Sequence, residues 1–341
     1  MTSTYRAAQV ASAGGVFDLV DRELTRPGPG HVRITVEACG ICHSDAGMVE
    51  GAFPGLHFPL VAGHEIAGRI AEVGENVYSG WQVGDLVAVG WFGGSCHHCK
   101  PCRQGDFMVC DNLKVPGWAY DGGYAQSFVA PVDALARIPD GLSPTDAAPL
   151  ACAGVTMFDG LRRSPAGPGD LVAILGIGGL GHLGVQFAAA MGFETVAIAR
   201  GREKTELAKQ LGAHHYIDST SATPVAEALQ ALGGAKAVMA TASSSDAIAA
   251  TVDGLAPRGE LVVIGATPDP MGISPLQLLL RGRVLRGHPA GTAESVQETM
   301  EFSVLHGIVP TNEVVPLSQI NDAFQRMMSG AARFRMVLTP W

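Results

Sequence analysis

Polar and apolar residues alternate with a period of two along His31-Val-Arg-Ile-Thr-Val-Glu37. That is the pattern of a strand with one face buried and one in water. Gly68-Arg-Ile-Ala-Glu-Val73 and Asp85-Leu-Val-Ala-Val89 repeat it, and Gly and Pro punctuate the segments between. The first 150 or so residues therefore predict a β-rich barrel or sandwich. From residue 153 the pattern changes. Leu171-Val-Ala-Ile-Leu175 is apolar throughout, glycines follow, and a helix is predicted over Leu180 to Met191. Short apolar runs at Thr195–Ala199, His215–Ile217, Ala237–Ala240 and Leu261–Ile264 then alternate with helical stretches. Wholly apolar strands alternating with helices predict a parallel sheet of βαβ units, covered on both faces. The tail predicts an amphipathic helix over Ala293–His306 and a strand, Phe334-Arg-Met-Val-Leu338, that returns to the first half. The expected organisation is an α/β chain with one discontinuous domain, residues 1–152 and 287–341, and one inserted domain, residues 153–286. No internal repeat or low-complexity tract interrupts it.

Composition narrows the class. A chain of 341 residues has room for two domains. With 47% hydrophobic and 16% charged residues it buries large cores and is not intrinsically disordered. Lys plus Arg number 23 against 32 Asp plus Glu, a formal net charge of −9. Such a chain has no general electrostatic reason to bind nucleic acid or an anionic membrane. No apolar run follows Met1-Thr-Ser-Thr-Tyr-Arg6, so a secretory leader is not expected. No stretch of about 20 uninterrupted apolar residues offers a membrane span. A cytoplasmic location is the expectation.

Cysteine usage changes the picture most. Seven cysteines are an odd number, and four fall in Cys96-His-His-Cys99-Lys-Pro-Cys102 and Cys110. In a long chain without a leader this clustering favours metal over disulfides. Four thiolates close a tetrahedron around zinc at about 2.3 Å each and leave no open position, so this zinc would be structural. An iron–sulfur cluster also takes four cysteines. Cys39, Cys42 and Cys152 remain. Cys39-Gly-Ile-Cys42 has no second pair to complete it, but Gly63-His64-Glu65 follows. Two thiolates and one imidazole would form a three-ligand set with its fourth position open to water or substrate. Spacing alone does not choose among the cysteines.

Leu175-Gly176-Ile-Gly178-Gly179-Leu180-Gly181 matches G-x-G-x-x-G between a predicted strand and a predicted helix. In that context the glycines permit a tight turn, backbone approach to a pyrophosphate and close helix packing, with the helix N-terminus facing the phosphates. The next strand ends at Ala199, where an NAD-binding chain usually places an acid for the ribose 2′-OH. Here Arg200-Gly201-Arg202 follows instead. Missing carboxylate and paired arginines both favour a 2′-phosphate. The reading is a preference for NADP over NAD.

The order Cys42-His43-Ser44-Asp45, Gly63-His64-Glu65, the four-cysteine loop and Cys152-Ala-Gly-Val-Thr156 resembles the zinc-dependent medium-chain alcohol dehydrogenases over nearly the whole chain. The resemblance implies a GroES-like catalytic domain and a Rossmann coenzyme domain. It implies Cys42, His64 and Cys152 as ligands of a catalytic zinc, and hence two zinc ions per chain. Asp45 would orient His64, and Glu65 would be an occasional ligand. His43 and Arg333 match positions on the pyrophosphate, Thr156 one near the nicotinamide carboxamide, and Ile264 and Gly265 the sheet edge beside that ring. Ser44 would take the hydroxyl proton and pass it through the coenzyme ribose. Relatives often end that relay on a histidine where this chain has Gly47; His57 is a nearby substitute. Trp91 matches a pocket position, and Phe53 and Trp118 lie in loops that would border it, favouring unbranched primary alcohols and aldehydes, aromatic ones included. The implied activity is alcohol dehydrogenase or aldehyde reductase, in a homodimer or homotetramer. A polyol or secondary-alcohol dehydrogenase on the same scaffold is the alternative. A non-catalytic zinc-bound redox or structural protein would explain the cysteine loop but not the dinucleotide motif.

Overall fold

The computed structural model describes residues 4–78, 80–265 and 267–340. It divides into two compact units, one running to Cys152 and resuming at Ala290, the other spanning Ala153–Pro289.

The first unit is built around the long strand His31–Ile41. Its alternation gives the predicted face: Val32, Ile34 and Val36 are fully buried while His31, Arg33 and Thr35 are only partly so. It pairs antiparallel with Glu65–Val73 and Ser127–Pro131, and Glu65–Val73 pairs onward with Leu86–Val89. The C-terminal strand Arg335–Thr339 returns to pair antiparallel with it, Met336 opposite Ile41 and Leu338 opposite Cys39. That return brings the chain end to the segment carrying Cys42. A separate three-stranded sheet joins Thr4–Val10 to Phe17–Glu23 and Leu60–Val61. Between the sheets lies one apolar core that includes Ile34, Ile66, Ile70, Val87, Tyr124 and Phe128.

The second unit carries a six-stranded, all-parallel sheet. From edge to edge its strands are His215–Asp218, Glu194–Ala199, Leu171–Leu175, Ala235–Ala240, Leu255–Val263 and Val284–Gly287. The chain order reverses beside Leu171–Leu175, and the crevice at that switch point is where such sheets take ligands. The central strand is buried at every position because helices cover both faces. The strand expected over Leu261–Ile264 starts earlier, at Leu255, and stops at Val263. Ile264 has already left the ladder, although its N–H still reaches Ala240 O. Among the described residues, no helix is long and apolar enough to cross a membrane.

Candidate active site

Cys42 ends the long strand as N-cap of the short helix His43–Val49. Asp45, the third residue of that helix, accepts the Cys42 N–H at 2.9 Å, closing a capping box. The same fully buried carboxylate accepts from His64 Nδ1 at 2.8 Å and from the Tyr124 hydroxyl at 2.6 Å. Three donors thus fix Asp45, and Asp45 fixes the His64 ring with Nε2 turned away from it. Cys152 arrives from a π-helical turn, Leu150–Gly154, a local irregularity often found at functional sites. The metal-binding atoms of Cys42, His64, Glu65 and Cys152 lie within 4.8 Å of one another, and all four residues are buried.

The chemistry of this set fits a bound cation. His64 Nε2 and Glu65 Oε2 are buried without a hydrogen-bond partner, a cost that a metal would remove. A hydrogen bond from Cys152 holds the Cys42 thiol well below its usual range, and burial alone would push it up. That same bond and burial push Cys152 up. Burial would lower the His64 imidazole, but the anionic Asp45 and Cys42 overcome it and raise it. A site that attracts a proton to the imidazole this strongly attracts a dication for the same reason. Burial pushes the Glu65 carboxyl up to about 7, against the pull of Arg335. Arg335, itself buried, donates to Glu65 Oε1 and to Ile41 O.

Two glycines make the packing possible. A side chain at Gly40 would begin 1.9 Å from Glu65 Oε2. Gly63, at φ +100°, leaves room for the Tyr124 ring and for Cys39 Sγ directly before His64. The leftover cysteine is therefore a packing residue: Cys39 is buried against Gly63 and Gly123, and its thiol is raised by burial.

The three rings expected at the substrate pocket come together. Trp91 stands edge-on to His64, ring centroids 5.0 Å apart, and Phe53 lies 6.3 Å from Trp91 at 70°. Phe53 and Trp118 stack at 4.8 Å and 21°, and Trp118 Nε1 donates to Pro54 O. A side chain at Gly47 would start only 3.0 Å from the Phe53 ring, so Phe53 takes the space a residue there would need. His43 and His57 are exposed, and Ser44 is half-buried on the first turn of the helix.

The cysteine loop is a second, separate cluster. Cys96, Cys99, Cys102 and Cys110 converge within the same 4.8 Å limit. Sulfur separations of 3.6 Å (Cys110–Cys96) and 3.8 Å (Cys99–Cys110) compare with the edge of about 3.8 Å for a tetrahedron of bonds near 2.3 Å. Backbone N–H groups of Cys99, Cys96 and Asn112 donate to these sulfurs. Hydrogen bonding, first from the His98 backbone, lowers the Cys96 thiol to about 5, and burial raises Cys102 to about 12. His98 turns its Nδ1 to Cys96 O and His97 pairs with Asp133, so both histidines have other partners.

In the second unit, the turn after Leu175 has Gly176 at φ +95°, with Thr241 Oγ1 donating to Leu175 O at 2.8 Å. Gly181 presses its Cα against Gly176 O, where a Cβ would sit 1.7 Å away, and Gly178 faces open space. Gly179 and Leu180 complete the turn into the helix Gly181–Ala190. Gly265 must be glycine because a Cβ would meet Ala242 O at 2.1 Å. Thr156 is buried in the helix Val155–Arg162. Arg200 and Arg202 flank Gly201 and are exposed beyond Ala199.

Four residues of these surroundings lay outside the expectations from sequence. Tyr124 is far in sequence from Asp45 and follows two glycines, with nothing local to mark it. Arg335 shares the quartet Ala332-Arg-Phe-Arg335 with Arg333, but the two differ. Arg335 is buried at Glu65, whereas Arg333 is exposed and directs its guanidinium to Gly330 O and Ala332 O. Lys204 donates to Ile177 O in the glycine turn at 2.7 Å. Asp218 supplies a carboxylate near the arginines, accepting from Gly201 N at 2.8 Å and from Thr220. It comes from the next strand, so no reading along the second strand finds it.

Comparison with known proteins agrees with this architecture. Residues 28–140 match the alcohol dehydrogenase GroES-like domain and residues 179–304 the zinc-binding dehydrogenase domain. The chain is 40% identical over 340 residues to the alcohol dehydrogenase patD of Penicillium expansum, covering 99% of this chain and 98% of that one. It is 35% identical over 345 residues to the aldehyde reductase YahK of Escherichia coli, covering 98% and 97%. A solved structure of a CAD from Helicobacter pylori, complexed with NADP(H), superposes with a TM-score of 0.87 at 28% identity, covering 99% of both chains. The chain belongs to the zinc-dependent medium-chain dehydrogenase/reductase family. Within it, the chain is an oxidoreductase of the alcohol dehydrogenase and aldehyde reductase class, working with zinc and a nicotinamide coenzyme.

Proposed function

We propose that this enzyme interconverts primary alcohols and aldehydes, including aromatic ones, with NADP(H) as the preferred coenzyme. The observation that carries the substrate class is the stack of Phe53 and Trp118 beside Trp91, which itself stands against His64. Flat or unbranched chains would lie against these rings, and branched secondary carbinols would lose contact with them.

Cys42, His64 and Cys152 would hold a catalytic zinc, with Glu65, one of whose oxygens Arg335 engages, as an occasional further ligand, and Cys96, Cys99, Cys102 and Cys110 a structural one, two ions per chain. Zinc in the open set supplies Lewis acidity that acidifies an alcohol or polarises a carbonyl. The residues do the rest. Asp45 orients His64 and keeps its Nδ1 protonated. Ser44, half-buried on the first turn of the helix, accepts the hydroxyl proton and delivers it toward the coenzyme ribose. With Gly47 in place of a relay histidine and Phe53 packed over it, the proton leaves directly to solvent. Gly176, Gly178, Gly179, Leu180 and Gly181 seat the pyrophosphate, with His43 and Arg333 as its cationic contacts. Thr156, Ile264 and Gly265 border the nicotinamide.

The coenzyme preference rests on Arg200 and Arg202, joined by Lys204. Asp218 and Glu203 lie at the same turn, but Asp218 is occupied by the Gly201 and Thr220 donors. We place the enzyme in the cytoplasm and assign it a homodimer or homotetramer. Val284–Gly287 ends the parallel sheet, and Leu276, Leu279, Leu280 and Leu285 are exposed at or just before it. Open edges and exposed leucines of this kind favour self-association.

The test is a panel of alcohols and aldehydes assayed with NADH and NADPH in parallel. Higher kcat/KM for primary aromatic substrates with NADPH is expected. Higher efficiency with polyols, or equal or better efficiency with NADH, would overturn the corresponding part.

A further inference from the structure

A cavity of about 330 Å³ opens on the first unit, and none of the residues of either cysteine cluster lines it. Its size lies at the lower end of the range for small-molecule sites. Its floor is the buried Gly122, Ser127 and Phe128, and its walls are the half-buried Tyr5, Tyr120 and His31. Lys114 and Asp121 stand at the exposed rim. Tyr120 and Phe128 stack at 5.9 Å and 21°, giving the wall a flat aromatic face.

The two charged groups at the rim differ in their pairing. Asp121 is committed to Arg22 at 2.8 Å and to the Val61 N–H. Lys114 is exposed, and its chain runs beside Gly94 and Pro131, where the Asp133 carboxylate, itself paired with His97, also approaches. His31, which also lines the cavity, donates from Nδ1 to Pro29 O at 2.9 Å. A flat aromatic face, the buried Ser127 hydroxyl and an ammonium outside any ion pair suit a planar ring bearing one carboxylate.

The position of the cavity gives it a consequence. One of its walls is the segment from Lys114 to Gly122, which also carries Trp118 to its stack on Phe53. That segment is tied to the approach of His64 by Gly122 N to Val61 O, Gly123 N to Gly63 O and Tyr124 N to Ala62 O. Tyr120 anchors it at the other side through its hydroxyl on Gly93 O. We propose that this cavity is a regulatory site for a small aromatic carboxylate, bound through Lys114 and stacked on Tyr120. Filling it fixes the segment that bears Trp118 and changes turnover without competing with the alcohol.

The test uses benzoate as the probe on the zinc-loaded enzyme, with benzamide as the uncharged control. Binding is followed by calorimetry and by inhibition kinetics against the alcohol, in the wild type and in Lys114→Met. Because Lys114 has no part in the active site, its variant should keep kcat and KM without benzoate. The expected result is a change of kcat with benzoate that varying the alcohol does not reverse. Affinity should fall roughly tenfold or more in Lys114→Met and for benzamide, the loss of one charged contact. Purely competitive behaviour, undiminished in Lys114→Met, would place the carboxylate at the Cys42–His64–Cys152 cluster and overturn the proposal. So would the absence of benzoate binding. His31→Gln, on a different strand, provides a second readout that should weaken binding less than Lys114→Met.

Discussion

The two cysteine clusters of this chain use the same ligand chemistry in opposite ways. Cys96, Cys99, Cys102 and Cys110 come from one short loop, partly exposed, and their sulfurs satisfy one another and nearby N–H groups. Cys42, His64 and Cys152 come from three distant segments, are buried, and leave His64 Nε2 without a partner. Four sulfurs make a closed set; two sulfurs and an imidazole leave a position open. The difference teaches where the fold places its effort. The loop needs only its own spacing, whereas the open set needs Asp45, Tyr124, Gly40, Gly63 and Arg335 to hold it.

The comparison breaks most sharply at Cys42. Cys42→Ala should abolish turnover while leaving thermal stability close to wild type, whereas Cys102→Ala should lower the melting temperature first and activity through it. Steady-state assays beside calorimetric melting read both. If Cys102→Ala loses turnover at unchanged stability, the division of labour is wrong. Ser44→Ala comes next, with a fall in kcat on the order of 10²-fold and zinc content unchanged. Near-intact turnover would remove Ser44 from the proton path.

Asp45→Asn and Tyr124→Phe probe the support around the open set. Loss of an outer partner of a ligating histidine costs roughly 10- to 100-fold in metal affinity or activity. Tyr124→Phe, which removes one of the three donors on Asp45, should fall at the lower end. Competition with a chromophoric chelator measures it. An effect on the four-cysteine zinc instead would contradict the separation of the two sites.

The smallest effect is a control outside both clusters. Burial, helped by the Arg286 and Arg163 charges, lowers His288 to about 4. The folded state therefore resists a proton that the unfolded state accepts from about 6.5 downward. Stability is full above that value and is lost as pH falls from 6.5 toward 4, roughly 3 kcal/mol in all. In His288→Asn this slope should flatten in urea titrations across that window, with the zinc content unaltered. An unchanged slope would assign the acid sensitivity elsewhere.

Legibility in the sequence followed the same division. Period-two alternation at His31–Glu37 and the apolar run Leu171–Leu175 announce their strands because local burial alone sets the pattern. Spacing within one loop announces the closed cluster. The open cluster does not show itself in spacing, because Cys42, His64 and Cys152 meet only through strand pairing and the π-helical turn. There the resemblance to a known family was needed to set Cys39 aside. Tyr124, Arg335 and Asp218 were not legible, since each reaches Asp45, Glu65 or Gly201 only through the sheets and not along the chain. Arg333 and Arg335 show the limit well: two residues apart, one is buried at Glu65 and the other is exposed.

Elemental analysis of the wild type, Cys42→Ala and Cys102→Ala, with turnover measured on the same samples, tests the central claim directly. Two zinc ions per chain are predicted for the wild type and one for each variant, with turnover absent in Cys42→Ala although its loop zinc remains. Two zinc ions or retained turnover in Cys42→Ala would contradict the assignment of the open cluster as the catalytic site.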